Sequence, residues 1–437
     1  MTQTVDGSVQ DTLAAGRTLA RTLFDDLERL TATPPGVTRV AYGDGEVAAF
    51  DLVASAAKSW DAEQRFDAAG NQYLVMPGRD RTRTILIGSH LDSVPHGGNF
   101  DGAAGVILGL AVQASLAAAG EVPPFDLAAL CLRAEESCWF PHSYIGSRTA
   151  LGRLDPAALD LARTDTGRSL SSHMADLGFD PDGVRAGARL FDPGEIVAYI
   201  EPHIEQGPTL VSRNVPVGLV TGIRGSFRMR TITVTGEYGH SGATPRFVRK
   251  DAGLAAARFI VALHGLWDDF EAAGEDLTVT FGEIGTDPAA HGFSKIPGTV
   301  HLCLDVRSQS PATLTKAESR VRDIAAFVED ETGCSIALGP VTGSTPAPLN
   351  EDLRAILAGG ARLSGVQTML LPSGAGHDAA TYADAGIPSA MVFIRNENGS
   401  HNPHEAMDMA DFDQALAVVH AAVCDPRLAD LERSTQT

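Results

Sequence analysis

Four segments of the 437-residue chain gather histidine and carboxylate side chains at spacings that suit metal ligation. The densest is GSHLDSVPHGGNFDG, residues 88–102. His90 and Asp92 lie two apart, and the turn residues Pro95, Gly97 and Gly98 let the chain fold back so that Asp101 can return to His90. Imidazole with carboxylate suits zinc, manganese or cobalt better than calcium. Asp92 stands where a carboxylate could orient the His90 ring. The second segment is Arg133-Ala134-Glu135-Glu136-Ser137, where alternating side-chain directions would turn Glu136 to a metal and Glu135 to substrate. The third is EPHIEQG, residues 201–207, with His203; the fourth is GSHNPHE, residues 399–405, with His401. Each segment alone also reads as a solvated polar turn or a structural histidine. Together they offer five ligands, His90, Asp101, Glu136, His203 and His401. That set suits two divalent ions bridged by one carboxylate, each keeping a position open for water.

The elements that must position these groups are legible around them. Short apolar runs at Tyr73–Met76, Thr84–Gly88, Leu127–Leu132, Ile196–Ile200 and Ala390–Ile394 predict strands. Alanine-rich stretches such as Gly102–Ala119 and Phe412–Cys424 predict helices between and after them, and Asp11–Leu30 predicts a first helix. Continuous apolar strands alternating with helices imply an α/β domain, a mixed, mostly parallel sheet with helices on both faces. Each metal-type segment directly follows such a strand, where open α/β sheets collect their ligands. The middle of the chain alternates instead. Phe227–Val234, Leu277–Glu283, Thr299–Val306 and Ser335–Leu338 predict strands, with helices over Arg249–Leu266 and Ala312–Glu331. Residues 214–343 therefore read as an α+β domain inserted into a domain formed by 1–213 and 344–437. Residues 1–10 and 430–437 are polar ends, expected to be loose.

In combination the motifs GSHLDSVPHGGNFDG, EES, EPHIEQG, GHSGATP (239–245), DVR (305–307) and GSHNPHE resemble the M20 metallohydrolase family. PPGVTR (34–39) and FDAAGN (66–71) add to this, and the similarity runs from about Arg17 to Pro426. More narrowly, the chain resembles the branch of N-carbamoyl-L-amino acid amidohydrolases, allantoate amidohydrolases and β-ureidopropionases. The resemblance implies a zinc-exopeptidase-like catalytic domain with an inserted lid and dimerisation domain. It implies that His90, Asp101, Glu136, His203 and His401 hold two metal ions, with Asp101 as the bridge. Asp92 would brace His90, Glu135 would be the general base, and Gln206 would contact the ureido or amide group. His240 would reach from the inserted domain into the active site of a partner subunit, and Arg307 would grip the substrate carboxylate. The implied protein is a homodimer acting on a small N-substituted amino acid. His96, His377 and His404 receive no ligand role; His404 reads as solvated, and Asp408 and Glu405 as either supporting the ligands or lying on the surface.

Two positions depart from the branch. Trp139 stands where arginine is usual, and Ser294 where asparagine is usual. With Trp139, Phe140 and Phe293 near the site, the expectation is a bulkier or more apolar substrate group than allantoate. An N-acyl-amino acid hydrolase or dipeptidase on the same scaffold is the second reading, and a non-catalytic binding protein the third. A dinucleotide-type turn is suggested by Gly374-Ala375-Gly376-His377-Asp378-Ala379, but the helix after it, about Asp378–Ala385, is short for a crossover.

Composition narrows the field. With 34 basic and 55 acidic residues the net charge is 34 − 55 = −21, which argues against nucleic acid or an anionic membrane as partner. No run approaches the ~18 apolar residues of a membrane span. The start of the chain lacks a basic stretch followed by an apolar one, so no secretory signal is expected. Five scattered cysteines without C-x₂-C spacing suit reduced thiols in a cytoplasmic protein.

Overall fold

The computed structural model describes residues 7–431, with side chains from residue 12 onward. Most of the two polar ends lies outside these residues; Gly7–Gln10 extend the first helix and Asp430 ends a short 3₁₀ turn. The chain divides into two compact units, one formed up to Thr221 and again from Leu349, the other by Gly222–Pro348.

The larger unit opens with α1 (Gly7–Thr31) and α2 (Asp44–Ala57), then the strands β1 (Glu63–Phe66), β2 (Gln72–Met76) and β3 (Asp80–His90). Helix α3 (Ala103–Ala119) leads to β4 (Phe125–Leu132), a short α4 (Ile145–Ala150), β5 (Ile196–Ile204) and β6 (Val217–Ile223). In the smaller unit β7 (Gly225–Thr235), α5 (Ala252–Ala272), β8 (Thr278–Thr286), β9 (Thr299–Ser308), α6 (Pro311–Thr332), β10 (Ser335–Ala337) and β11 (Val341–Ser344) follow. The chain returns with α7 (Glu351–Leu363), β12 (Thr368–Ser373), α8 (Asp378–Asp384), β13 (Ser389–Ile394) and α9 (Met409–Val423).

The large sheet runs β6-β13-β5-β3-β4-β2-β1, with β12 also beside β6. Its centre is parallel: β13 with β5, β5 with β3, and β3 with β4. The flanking pairs β13–β6, β4–β2 and β2–β1 are antiparallel. All eight residues of β4 and the last seven of β3 are buried, as strands covered on both faces require. Helix α3 is apolar nearly all round and buried along most of its length. Gly105 permits its close approach to the sheet, because a Cβ there would lie 2.2 Å from the Pro202 carbonyl oxygen.

The unit boundaries fall later than 213/214 and 343/344. Val217–Ile223, which the sequence reading left unassigned, is a strand of the large sheet beside β13. At the other end Val341–Ser344 pairs with β7 and so belongs to the smaller unit. In that unit an antiparallel sheet ordered β8-β9-β7-β10 packs with α5 and α6 around its own apolar core. Strand β9 alternates buried and partly exposed positions, the pattern of a sheet covered on one face.

Candidate metal centre

The four central strands end side by side in the order β4, β3, β5, β13, and each delivers one candidate segment at its carboxyl end. His90 is the last residue of β3, and His203 is the penultimate residue of β5. Glu136 lies four residues beyond β4, and His401 lies in the loop beyond β13. Asp101 returns just before α3, as the turn residues of that segment predict. Two groups of potential ligands result, His90–Asp101–His203 and Asp101–Glu136–His401, each with its ligand atoms within 4.8 Å of one another. Asp101 is common to both.

The contacts around these groups fix which atoms face the centre. His90 Nδ1 donates to the Asp92 carbonyl at 3.0 Å, and His203 Nδ1 to the Ile204 carbonyl at 2.8 Å. A carbonyl only accepts, so both rings carry their proton on Nδ1. His203 Nε2 also accepts from the Gly102 N–H at 3.3 Å. The Nε2 lone pairs then face Asp101 Oδ1, at 3.5 Å from His90 and 3.3 Å from His203. His401 Nε2 lies 3.5 Å from Asp101 Oδ2 and 3.2 Å from Glu136 Oε1. Lone pairs converging on a buried carboxylate need a cation between them. This donor set of imidazoles and carboxylates is compatible with a divalent metal ion.

Electrostatics point to the same need for positive charge: with protons in place of a metal on His203 and His90, their charge outweighs the burial that would raise the Asp101 carboxyl and holds it well below the usual carboxylate range. Glu136 lifts His401 to about 9. Burial pushes the Glu135 carboxyl well above its ordinary value, with Glu136 and Asp378 adding to the effect against His90. Glu135 Oε2 stands 3.9 Å from His90 Nε2.

Asp92 does more than brace a ring. Its carbonyl accepts the His90 Nδ1–H, while its two carboxylate oxygens accept the backbone N–H groups of Glu135 and Glu136, each at 3.1 Å. One fully buried side chain thus ties the end of β3 to the loop after β4. Ala134, Gln206 and His401 all hold left-handed backbone angles, φ +51°, +61° and +61°. Such conformations cost energy in non-glycine residues and cluster where a site must aim its side chains. Gln206 Nε2 donates to Asp101 Oδ2 at 2.8 Å, and its Oε1 is shielded without a hydrogen-bond partner.

Gly102 is required twice over. Its φ is +66°, and a Cβ would lie 2.5 Å from the His90 ring. Gly102→Ala should therefore cost at least about 1–2 kcal/mol of stability from backbone strain alone and displace His90. Chemical denaturation together with a metal titration would check both effects.

Two further side chains support the ligands. Glu405, read as either a support or a surface residue, is buried, and its Oε1 accepts from the N–H groups of Phe100 at 2.9 Å and Asp101 at 3.2 Å. The Ser400 hydroxyl bridges Glu405 and Asp101. Arg39 is fully buried, bonds the Leu91 carbonyl through Nε at 2.6 Å, and lies in the field of Glu405 and Asp101. The motif PPGVTR held that arginine, but nothing in its neighbours told of burial.

The aromatic lining expected beside the metal loop is not found. Trp139 and Phe140 are buried in a closed satellite core with Tyr42, Ile145 and Leu170, and Trp139 Nε1 donates to the Ser93 carbonyl at 2.8 Å. Satisfying the indole N–H on that backbone turns the ring inward. Phe293 is fully exposed in the smaller unit. That unit also holds His240, Ser294 and Arg307. His240 pairs with Lys295 across a two-residue ribbon, and the Ser241 N–H donates to the Ser294 carbonyl at 2.9 Å. His240 Nδ1 accepts from the N–H groups of Gly242 and Ala243, both at 3.2 Å, which leaves an exposed Nε2–H as donor. Arg307 pairs with Asp305 two residues earlier on β9, Nη2 to Oδ2 at 2.9 Å. His96 bonds the Thr33 carbonyl, and His377 is buried against Ser373 and the His203 ring.

This is an α/β fold with a carboxylate shared between two His/carboxylate groups at parallel strand ends, an arrangement compatible with a hydrolase that binds divalent metal. The chain belongs to peptidase family M20/M25/M40, whose sequence profile matches residues 86–425. It is 34% identical over 391 residues to an N-carbamoyl-L-amino acid amidohydrolase of Geobacillus stearothermophilus, covering 89% of this chain and 93% of the relative. An allantoate amidohydrolase of Bacillus subtilis is 31% identical over 375 residues, covering 85% and 88%. A crystal structure of a hydantoinase/carbamoylase family amidase from Burkholderia ambifaria superposes with a TM-score of 0.84 at 30% identity, covering 98% of this chain and 99% of that one. Among the described residues no helix is long and apolar enough to cross a membrane.

Proposed function

We propose that the protein is an amidohydrolase that cleaves a linear C–N bond of an N-substituted L-amino acid, with N-carbamoyl-L-amino acids as the first substrate class. The observation that carries this reading is the pair of ligand groups sharing Asp101. His90 and His203 would hold one divalent ion with Asp101, and Glu136 and His401 the other; zinc, manganese and cobalt all suit these ligands. When bound, such ions lower the pKa of water and polarise a carbonyl oxygen.

The residues divide the remaining work. Glu135, kept basic enough by burial, takes the proton of the attacking water and passes it to the leaving nitrogen as the C–N bond breaks. Asp92 holds the Glu135 backbone in place for both transfers. Gln206 presents an unpartnered carbonyl oxygen beside Asp101, suited to accept from a ureido N–H. His240, entering from the second copy of a homodimer, would give its Nε2–H to the developing oxyanion, an interaction worth about 3–4 kcal/mol at comparable sites. Arg307 and Ser294 would bind the substrate carboxylate end. With a carbamoyl substrate the products are the amino acid, ammonia and carbon dioxide.

The test is a hydrolysis screen of N-carbamoyl, N-formyl, N-acetyl and longer N-acyl amino acids with added Mn²⁺, Co²⁺ or Zn²⁺. Ammonia release from the carbamoyl series is expected. Release of amino acid only from N-acyl compounds would transfer the assignment to an aminoacylase. Sedimentation of the active enzyme as a dimer is expected, and full activity in a strict monomer would remove His240 from the mechanism.

A further inference from the structure

The reaction above leaves two buried carboxylates unused. Glu201 stands on β5 two residues before His203, Asp378 opens α8, and neither side chain reaches solvent. Burial first, and the Glu201 carboxylate next, push the Asp378 carboxyl up to about 7, so the two acids are neighbours. Burying such groups is costly unless their hydrogen bonds are met. Glu201 Oε1 accepts from the hydroxyl of Ser89, the residue before His90, at 2.8 Å, and Oε2 accepts from the Ala379 N–H at 2.6 Å. Asp378 Oδ1 accepts from the Ser147 hydroxyl. A stacked pair runs beside these bonds: the Tyr382 ring of α8 lies 4.2 Å from the Tyr199 ring, and the Tyr199 hydroxyl donates to the Gly88 carbonyl at 3.1 Å. Seven residues make too short a helix to be stable alone, so these contacts fix α8 against β3 and β5.

Ser147 extends this chain of contacts to Glu135. It lies in α4, which is keyed to the loop after β4 through backbone. The N–H groups of Tyr144 and Ile145 donate to the carbonyls of Glu135 and Ala134, both at 3.2 Å. Gly146 packs so closely that a Cβ there would lie 2.5 Å from the Arg133 carbonyl oxygen. Residues 133–135 and α4 must therefore shift together. Asp92 ties the N–H side of this loop to the end of β3. Glu201, α8 and Ser147 tie its carbonyl side to β3 and β5.

We propose that Asp378 is a positioning residue for the general base: through Ser147 and α4 it fixes Glu135 relative to the strand ends that bring His90 and His203. Because the role of Glu135 rests on the proposed hydrolysis, one of the two measurements needs no turnover.

The experiment uses the metal-loaded enzyme and its variants Asp378→Ala, Ser147→Ala, the two combined, and Asp378→Asn. Hydrogen–deuterium exchange reads the Tyr144 and Ile145 amides, and hydrolysis of N-carbamoyl-L-alanine reads kcat and KM. Exchange at both amides should quicken roughly tenfold in Asp378→Ala and in Ser147→Ala, as local opening becomes easier. In the same variants kcat should fall roughly tenfold to a hundredfold with KM and metal content unchanged, the effect of a slightly misplaced reacting group. The combined variant should be no slower than either alone, because the two side chains act through one contact. Asp378→Asn keeps an oxygen for Ser147 and should keep turnover close to that of the unaltered enzyme. Unchanged exchange, losses that multiply in the combined variant, or loss of metal in Ser147→Ala overturns the proposal. Should Asp378→Ala fail to fold, Ser147→Ala, which removes one oxygen atom, carries the same test. Faster exchange in a protein that hydrolyses no carbamoyl compound would uphold the placement of the loop and refute carbamoyl hydrolysis.

Discussion

Glu135→Gln is expected to lower kcat by roughly 10²–10⁴-fold, the usual contribution of a general base, while leaving bound metal unchanged. The substitution keeps the size of the side chain and removes its ability to take a proton. The Glu135 backbone N–H still bonds Asp92, so the loop carrying Glu136 stays in place. Turnover and elemental analysis on the same preparation separate the two effects. Full turnover in the variant would take Glu135 out of the mechanism, and loss of metal would recast it as a ligand.

Asp101→Ala is expected to empty both metal positions and reduce kcat/KM by roughly 10³-fold, equivalent to about 4 kcal/mol. The reasoning is topological: Asp101 Oδ1 faces His90 and His203, while Oδ2 faces His401. His401→Ala supplies the contrast, because His401 belongs to one group only and is half exposed. Metal content should fall from two equivalents to about none in the first variant and to about one in the second. Equal metal loss in both, or none in either, would contradict a shared carboxylate.

Much of this centre is legible in the sequence because His90, Glu136, His203 and His401 each follow an apolar run, and apolar runs bounded by turns predict buried strands well. Convergence then follows from parallel pairing, which brings the carboxyl ends of distant strands together. What escaped reading is the direction in which side chains turn. Trp139 lies three residues from Glu136, yet its indole points inward to Ser93. Glu405 lies four residues from His401 in a polar loop, yet it is buried beneath Asp101. Left-handed backbone at Ala134, Gln206 and His401 redirects the chain by amounts no periodicity announces. Strand Val217–Ile223 was missed for another reason: its glycines and threonine dilute the apolar signal, and only burial beside β13 makes it a strand.

The placement of β13 between β5 and β6 bears on how the molecule is made. Strand β5 cannot gain this parallel neighbour until residues 389–394 have been synthesised, nearly two hundred positions downstream. Contacts of such long sequence separation form slowly. Nascent chains still short of that strand would hold His90, Asp101 and His203 without the element that leads to His401. Chelating capacity should thus arrive in two stages, the His90–Asp101–His203 group being present in the chain well before the residue that completes the other group is made.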